Sequence, residues 1–279
     1  MWRKLLVGSV ISAWRHGQIE TAKAAAFSAL VAFFPMLATT ATVLVRVRAE
    51  FAAQTLERLL AEVLPPSAAD LVVEHLARRG AQPVLLPVSA MALSVWAAGD
   101  VVSSLIEGFR AAYGLERARP FPADTLVALL LVAASLVPVL GAFALVLLGA
   151  RVEEWAAAGL GLLPAGVELR GWVFMAGRLT RYAVAATAVA AGASMLYYFG
   201  PNRRQQWRYV WPGALLATAL CLGATSLFAW YARNLAHYNV MYGSIAAVIA
   251  LLMWMYLLAL IALLGCEFSA AYEKLHRAA

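Results

Sequence analysis

From Met241 to Cys266 the chain runs without a single Asp, Glu, Lys or Arg. About 20 predominantly apolar residues in a helix cross the ~30 Å hydrocarbon core of a bilayer. A run this long has few places in a water-soluble fold, and it recurs. Five more candidates are Ala24 to Val45, Ala81 to Ile106 (through Asp100), Thr125 to Ala150, the Arg178–Tyr182 region to Phe199, and Tyr209 to Ala232. Only 13% of the 279 residues are charged and 63% are hydrophobic, with a mean hydropathy of +0.77. A soluble domain carries about 25% charged residues, so lipid is the expected solvent. Barrel strands need only about 10 residues of alternating polarity, and no such alternation occurs. The expected fold is therefore all-α, a polytopic membrane helix bundle of six transmembrane helices forming a single membrane domain over 1–279.

Two regions lie outside these spans. Arg3 and Lys4 precede the short apolar run Leu5 to Trp14, a pattern that also opens secretory signals. Ile11-Ser12-Ala13 is a poor cleavage site, so residues 1–22 read as an interfacial helix, with Trp2 and Trp14 at headgroup depth. Residues 46–80 mix charged and apolar side chains and are broken by Pro65-Pro66. Ser67 followed by Asp70 resembles a capping box, and Gly80 suits a helix stop. This segment is expected to be an extracytoplasmic amphipathic helical cap between spans 1 and 2.

Small residues recur at four-residue spacing in two spans: Ala186, Ala190 and Ser194, then Gly213, Ala217 and Cys221. Such stripes let helix backbones approach closely inside a bundle. The 22 basic residues divide almost evenly between the two sides. The short turn from Asn202 to Arg208, with three arginines, points to an N-in, C-in orientation by the positive-inside rule. Cys221 and Cys266 both fall in apolar runs, so neither a disulfide framework nor a thiolate metal site is expected.

Three stretches carry a family resemblance. Tyr242-Gly243-Ser244-Ile245-Ala246-Ala247 is followed by Trp254, Tyr256 and Leu264-Gly265-Cys266-Glu267. Tyr198 leads through Pro201-Asn202 and Trp207 to Pro212-Gly213-Ala214, and Ala24 to Pro35 forms a weaker third match. In order and spacing these resemble the YihY/BrkB family of bacterial inner-membrane proteins, some of which carry the label ribonuclease BN. The resemblance implies six spans and an inner-membrane location, and supplies no settled activity. The first-helix motif departs from the family at Phe27, Ser28 and Ala32, where aromatic hydroxyls and a serine are usual.

The chemistry of a nuclease needs clustered carboxylates for metal ions, or histidines as acid and base. His16, His75, His237 and His276 lie in four separate segments, and no pair has i, i+4 spacing. Neither a Gly-x-Ser-x-Gly elbow nor a phosphate loop occurs. No catalytic residue, metal, cofactor or nucleic-acid partner is expected, and the chain reads as a non-enzyme.

Ionisable and polar groups inside or beside the spans are the better lead, because charge in hydrocarbon is costly. Asp100 is a candidate proton or cation site, or a hydrated interfacial group. Arg178 and Arg181 share a helix face and suit a phosphate or carboxylate, or simply reach for the interface. Glu267 is expected to couple ions or to pair with Arg203 or Arg204. Asn202 follows a helix break, and Tyr242 and Ser244 present hydroxyls at the start of the sixth span. These residues fit a transporter, exporter or flippase of a lipid or amphipathic anion. The competing expectation is a non-transporting scaffold that binds partner proteins or anionic lipid.

Overall fold

The structure is a computed structural model that describes residues 2–46, 85–116, 123–135, 137–138, 141, 171–234 and 239–278. Seven helices and no strands are found among the described residues. They are α1 (Trp2–Arg15), α2 (Gln18–Arg46), α3 (Leu85–Tyr113), α4 (Ala123–Ser135), α5 (Gly171–Phe199), α6 (Trp207–Asn234) and α7 (Asn239–Ala278). Five of them, α2, α3, α5, α6 and α7, are long and apolar enough to cross a membrane. Of the expected third span, only its beginning in α4 is described as a continuous helix. The cap expected over 46–80 lies, past Arg46, outside the described residues.

The expected interfacial helix over 1–22 is shorter than its sequence pattern. It ends at Arg15, and α2 begins at Gln18. The cause is Gly17, which adopts φ of 68° and has open space around its missing side chain. That left-handed conformation is cheap for glycine alone and turns the chain from α1 into α2. α1 buries Leu5, Ser9 and Ala13 and exposes Val7, Val10, Ile11 and Trp14. Its outer face is thus apolar, as an in-plane membrane helix requires. α7, at 40 residues, is about 60 Å long and continues well past the span expected to close at Cys266.

α2 packs on α3, α5 on α6, α6 on α7, and α7 on α2 and α1. The outward faces carry Met91, Val95, Leu126, Leu130, Val184, Leu222, Leu227, Ile249 and Met253. Such a belt of exposed aliphatic side chains belongs in lipid.

Inside, small residues set the contacts. Gly213 of α6 lies against the backbone of Gly265 and the hydroxyl of Ser269 on α7, leaving no room for a Cβ. A Cβ on Gly265 would come within 2.6 Å of Tyr197 Oη and 2.7 Å of Ala217 Cβ. The stripe Gly213–Ala217 is therefore a packing face. In α5, Ala190 and Ser194 are fully buried. Phe109, Tyr197, Val210, Ala214, Leu263 and Cys266 continue this core toward the end of the bundle where α1 sits.

Candidate functional site

Polar groups gather at the α1 end, where α3, α5 and α7 finish and α2, α4 and α6 begin. Two constellations are formed there from segments far apart in the chain, and a third reaches from that end to mid-span along α3.

The first surrounds Glu267, which is 2% exposed on α7. Gln18, at the start of α2, donates through Nε2 to Glu267 Oε1 at 2.8 Å and to the carbonyl of Gly108 at 2.9 Å. His16 Nδ1 lies 2.7 Å from the same carboxylate oxygen. Gly108 makes this possible, since a Cβ there would meet the Leu263 side chain and sit 2.6 Å from Gln18 Oε1. The elbow at Gly17 thus presents the residue on each side of it to one buried carboxylate. Glu267 does not pair with the basic turn. Arg203 instead binds Glu273, six residues further along α7.

That second constellation is centred on Glu273 Oε1, which accepts from Arg203 Nη2 at 2.8 Å and lies 2.7 Å from Arg277 Nη2. The Arg203 guanidinium also stands over the Tyr113 ring, 4.6 Å from its centroid, a cation–π geometry. The turn carrying Arg203 is built on Asn202, whose φ of 57° is tolerated by asparagine. Gln205 ties it back by donating to the carbonyls of Tyr197 and Tyr198.

The third constellation is a cavity of about 290 Å³ beside α3 and the start of α4. Trp96, Asp100, Ser103, Ser104 and Glu107 contribute from successive turns of α3, with Arg110 at its end and Asp124 and Thr125 from α4. Arg110 and Asp124 form a bidentate pair, Nη1 to Oδ2 at 2.8 Å and Nη2 to Oδ1 at 2.5 Å. Both side chains are largely buried, 5% and 14% exposed. This fork geometry is the strong form of a guanidinium–carboxylate contact.

Asp100 stands near the middle of the span Met91–Tyr113. Ser28 of α2 donates to its Oδ2 at 2.5 Å, and Ser104 donates to its backbone carbonyl at 3.0 Å. No described cation pairs with it, and it is exposed to the cavity rather than sealed in the core.

The sequence candidates therefore separate. Asp100 lines the cavity, Glu267 anchors the α1–α2 elbow, and Asn202 shapes the basic turn. The side chains of Arg178, Arg181, Tyr242 and Ser244 lie outside the described residues. His16, Gln18, Arg110, Glu107 and Asp124 were not singled out by sequence. Arg110 and Asp124 did leave a signal: opposite charges at the facing ends of two apolar segments joined by a short connection. Among the described residues no three His, Cys, Asp or Glu side chains converge as a metal-ligand set.

Comparison with known proteins follows the same lines. The sequence model of the family described as Virulence factor BrkB matches residues 9–279. The ribonuclease-like protein YfkH of Bacillus subtilis (strain 168) is 28% identical over 218 residues, covering 77% of this chain and 76% of that protein. A UPF0761 membrane protein of Albidiferax ferrireducens is 32% identical over 150 residues, covering 46% of this chain and 34% of its own. One from Alkalilimnicola ehrlichii is 39% identical over 90 residues, covering 31% and 20%. The matches thus span about three quarters of the Bacillus protein, and 34% and 20% of these two UPF0761 relatives. No solved structure matches the chain significantly. With its family match running nearly end to end and its apolar helices of spanning length, the chain belongs to the BrkB family of integral membrane proteins.

Proposed function

We propose that the protein is a transporter of the bacterial inner membrane, N-in and C-in, that moves a lipid or another amphipathic molecule by way of the α3–α4 cavity. The observation that carries this reading is Asp100. It is a carboxylate near mid-span, turned to a polar cavity and held by one serine hydroxyl among the described residues. An ionisable group at that depth is expensive unless water or a partner reaches it, and such groups mark substrate and ion pathways.

The cavity's charge changes the substrate expected from sequence. Its lining carries three carboxylates and one guanidinium, and that guanidinium is engaged by Asp124. Asp100 has no cation paired with it among the described residues, so an anion meets repulsion beside it, whereas a cationic or zwitterionic molecule is favoured. The anionic substrate inferred from Arg178 and Arg181 rests on those two side chains alone.

The relative's ribonuclease-like name does not lead to a second reading. Its chemistry would need converging metal ligands or an acid–base pair. Among the described residues no metal-ligand set converges, and the His16–Glu267 contact holds the elbow between α1 and α2.

The test is lipid translocation in proteoliposomes, followed by dithionite quenching of a fluorescent headgroup-labelled phospholipid. Wild-type protein should accelerate translocation over empty vesicles, and Asp100→Asn should remove at least nine-tenths of the gain. Wild-type vesicles indistinguishable from empty ones for phospholipids and for cationic amphiphiles would reject the reading.

A further inference from the structure

The turn between α5 and α6 carries Arg203 and Arg204, with Arg208 just beyond it, and contributes nothing to the lining of the α3–α4 cavity. We propose that, independently of any transport, this turn binds the phosphate of an anionic phospholipid in the leaflet on the α1 side of the bundle.

Its depth follows from the two helices it joins. The apolar span of α5 ends at Phe199 and that of α6 begins at Trp207. Residues 200–206 therefore stand where hydrocarbon gives way to headgroups. Aromatic side chains favour the same boundary. The Trp207 indole stacks on Tyr198, with centroids 4.3 Å apart and planes at 11°. Phe199 meets that indole at 6.2 Å, edge to face. Phe199 and Trp207 are both exposed, an apolar platform for the upper part of an acyl chain.

The turn is held from both sides. Pro201 and Gln205 are buried, and Gln205 donates to the carbonyls of Tyr197 and Tyr198. Arg203 is fixed by Glu273 and lies over the Tyr113 ring. Between these two tied neighbours Arg204 is exposed, with no hydrogen-bond or ion-pair partner among the described residues. Arg208 is exposed as well, and contacts only the adjacent Tyr209, whose ring centroid is 4.6 Å from its guanidinium. A site preorganised in this way loses little conformational freedom on binding.

Charge then selects the headgroup. Among the described residues Glu273 is the carboxylate bonded to this turn, and one of its oxygens already serves both Arg203 and Arg277. Glu116, exposed at the end of α3, pairs with none of these arginines. Arg204 and Arg208 are thus left without a countercharge at headgroup depth, where basic side chains attract anionic lipid. Their planar donors match phosphate oxygens. A zwitterionic lipid offers a phosphate too, but its ammonium meets these uncompensated arginines and no accessible carboxylate bonded to the turn.

Detergent-solubilised full-length protein is titrated with phosphatidylglycerol and with phosphatidylcholine, and the affinity for the first bound lipid is read by native mass spectrometry. Wild type should prefer phosphatidylglycerol. Arg204→Gln combined with Arg208→Gln should weaken that affinity about tenfold and leave phosphatidylcholine binding unchanged. Arg204→Gln alone, which has no partner to lose, should weaken it about threefold, and keeps the test valid if the double variant folds poorly. Lys23→Gln removes a positive charge already matched by Glu20 and should have no effect. Equal affinity of wild type for the two lipids would overturn the proposal, as would unchanged affinity in both arginine variants. An equal loss in Lys23→Gln would reduce the preference to net charge and overturn the site. Displacement of the lipid by inorganic phosphate at constant ionic strength would assign the arginines to a free anion and overturn the lipid source.

Discussion

His16 Nδ1 and Glu267 Oε1 stand 2.7 Å apart although 251 residues separate them in the chain. With Gln18 bonded to the same oxygen, the elbow between α1 and α2 is fastened to the last helix by one buried carboxylate. Glu267→Ala leaves Gln18 Nε2 with only the Gly108 carbonyl and His16 Nδ1 without its partner. A buried polar group stripped of its partner costs about 1–3 kcal/mol. The variant should unfold several degrees below wild type in detergent, and Glu267→Gln, which keeps an acceptor oxygen, should fall between them. Equal melting of all three would mean that the contact does not contribute to stability.

Arg110 and Asp124 make a separate prediction, because both are nearly enclosed. Removing one member of a buried pair typically costs about 3–5 kcal/mol, whereas replacing both with apolar residues is often close to neutral. Arg110→Met and Asp124→Leu should each lower thermal stability more than the two together. A double-mutant cycle on purified protein measures this coupling, and simple additivity would contradict it.

The close approach of α6 and α7 predicts a contrast between glycines. Gly213→Ala and Gly265→Ala force a methyl into the opposing helix backbone, so both should reduce the folded, monodisperse yield severely. Gly223→Ala, in the same helix as Gly213, meets nothing within 4 Å and should be tolerated. Size-exclusion profiles of the three variants decide this. A normal profile for Gly213→Ala would show that the helices can separate at little cost.

Asp100→Asn is expected to leave the fold intact. Ser28 Oγ can donate to the amide oxygen as it does to the carboxylate, and a change at an open cavity wall away from the core is worth about 0.5 kcal/mol or less. Unfolding temperatures within a degree or two of wild type, together with lost translocation, would locate the defect in the cavity. A large drop in stability would instead assign Asp100 a structural role.

The apolar runs alone determined the membrane class and most span positions, because crossing hydrocarbon is a local requirement on length and polarity. A stretch such as Met241 to Cys266 meets it whatever its neighbours do. The same locality made the Gly213–Ala217 stripe legible as a packing face, since absent side chains are visible in sequence. Helix ends were less legible. Gly17 divides a continuous pattern into two helices through one backbone angle, and α7 continues beyond its apolar limit because Glu273 finds Arg203. The partners of the charges were decided only by tertiary structure. Glu267 turns to His16 and Gln18 rather than to the basic turn, and Asp100 faces Ser28 of α2 as well as the serines of its own helix. Both outcomes depend on how each helix is rotated against its neighbours. That rotation is set by the meshing of small side chains across the whole bundle, a property that no single span contains.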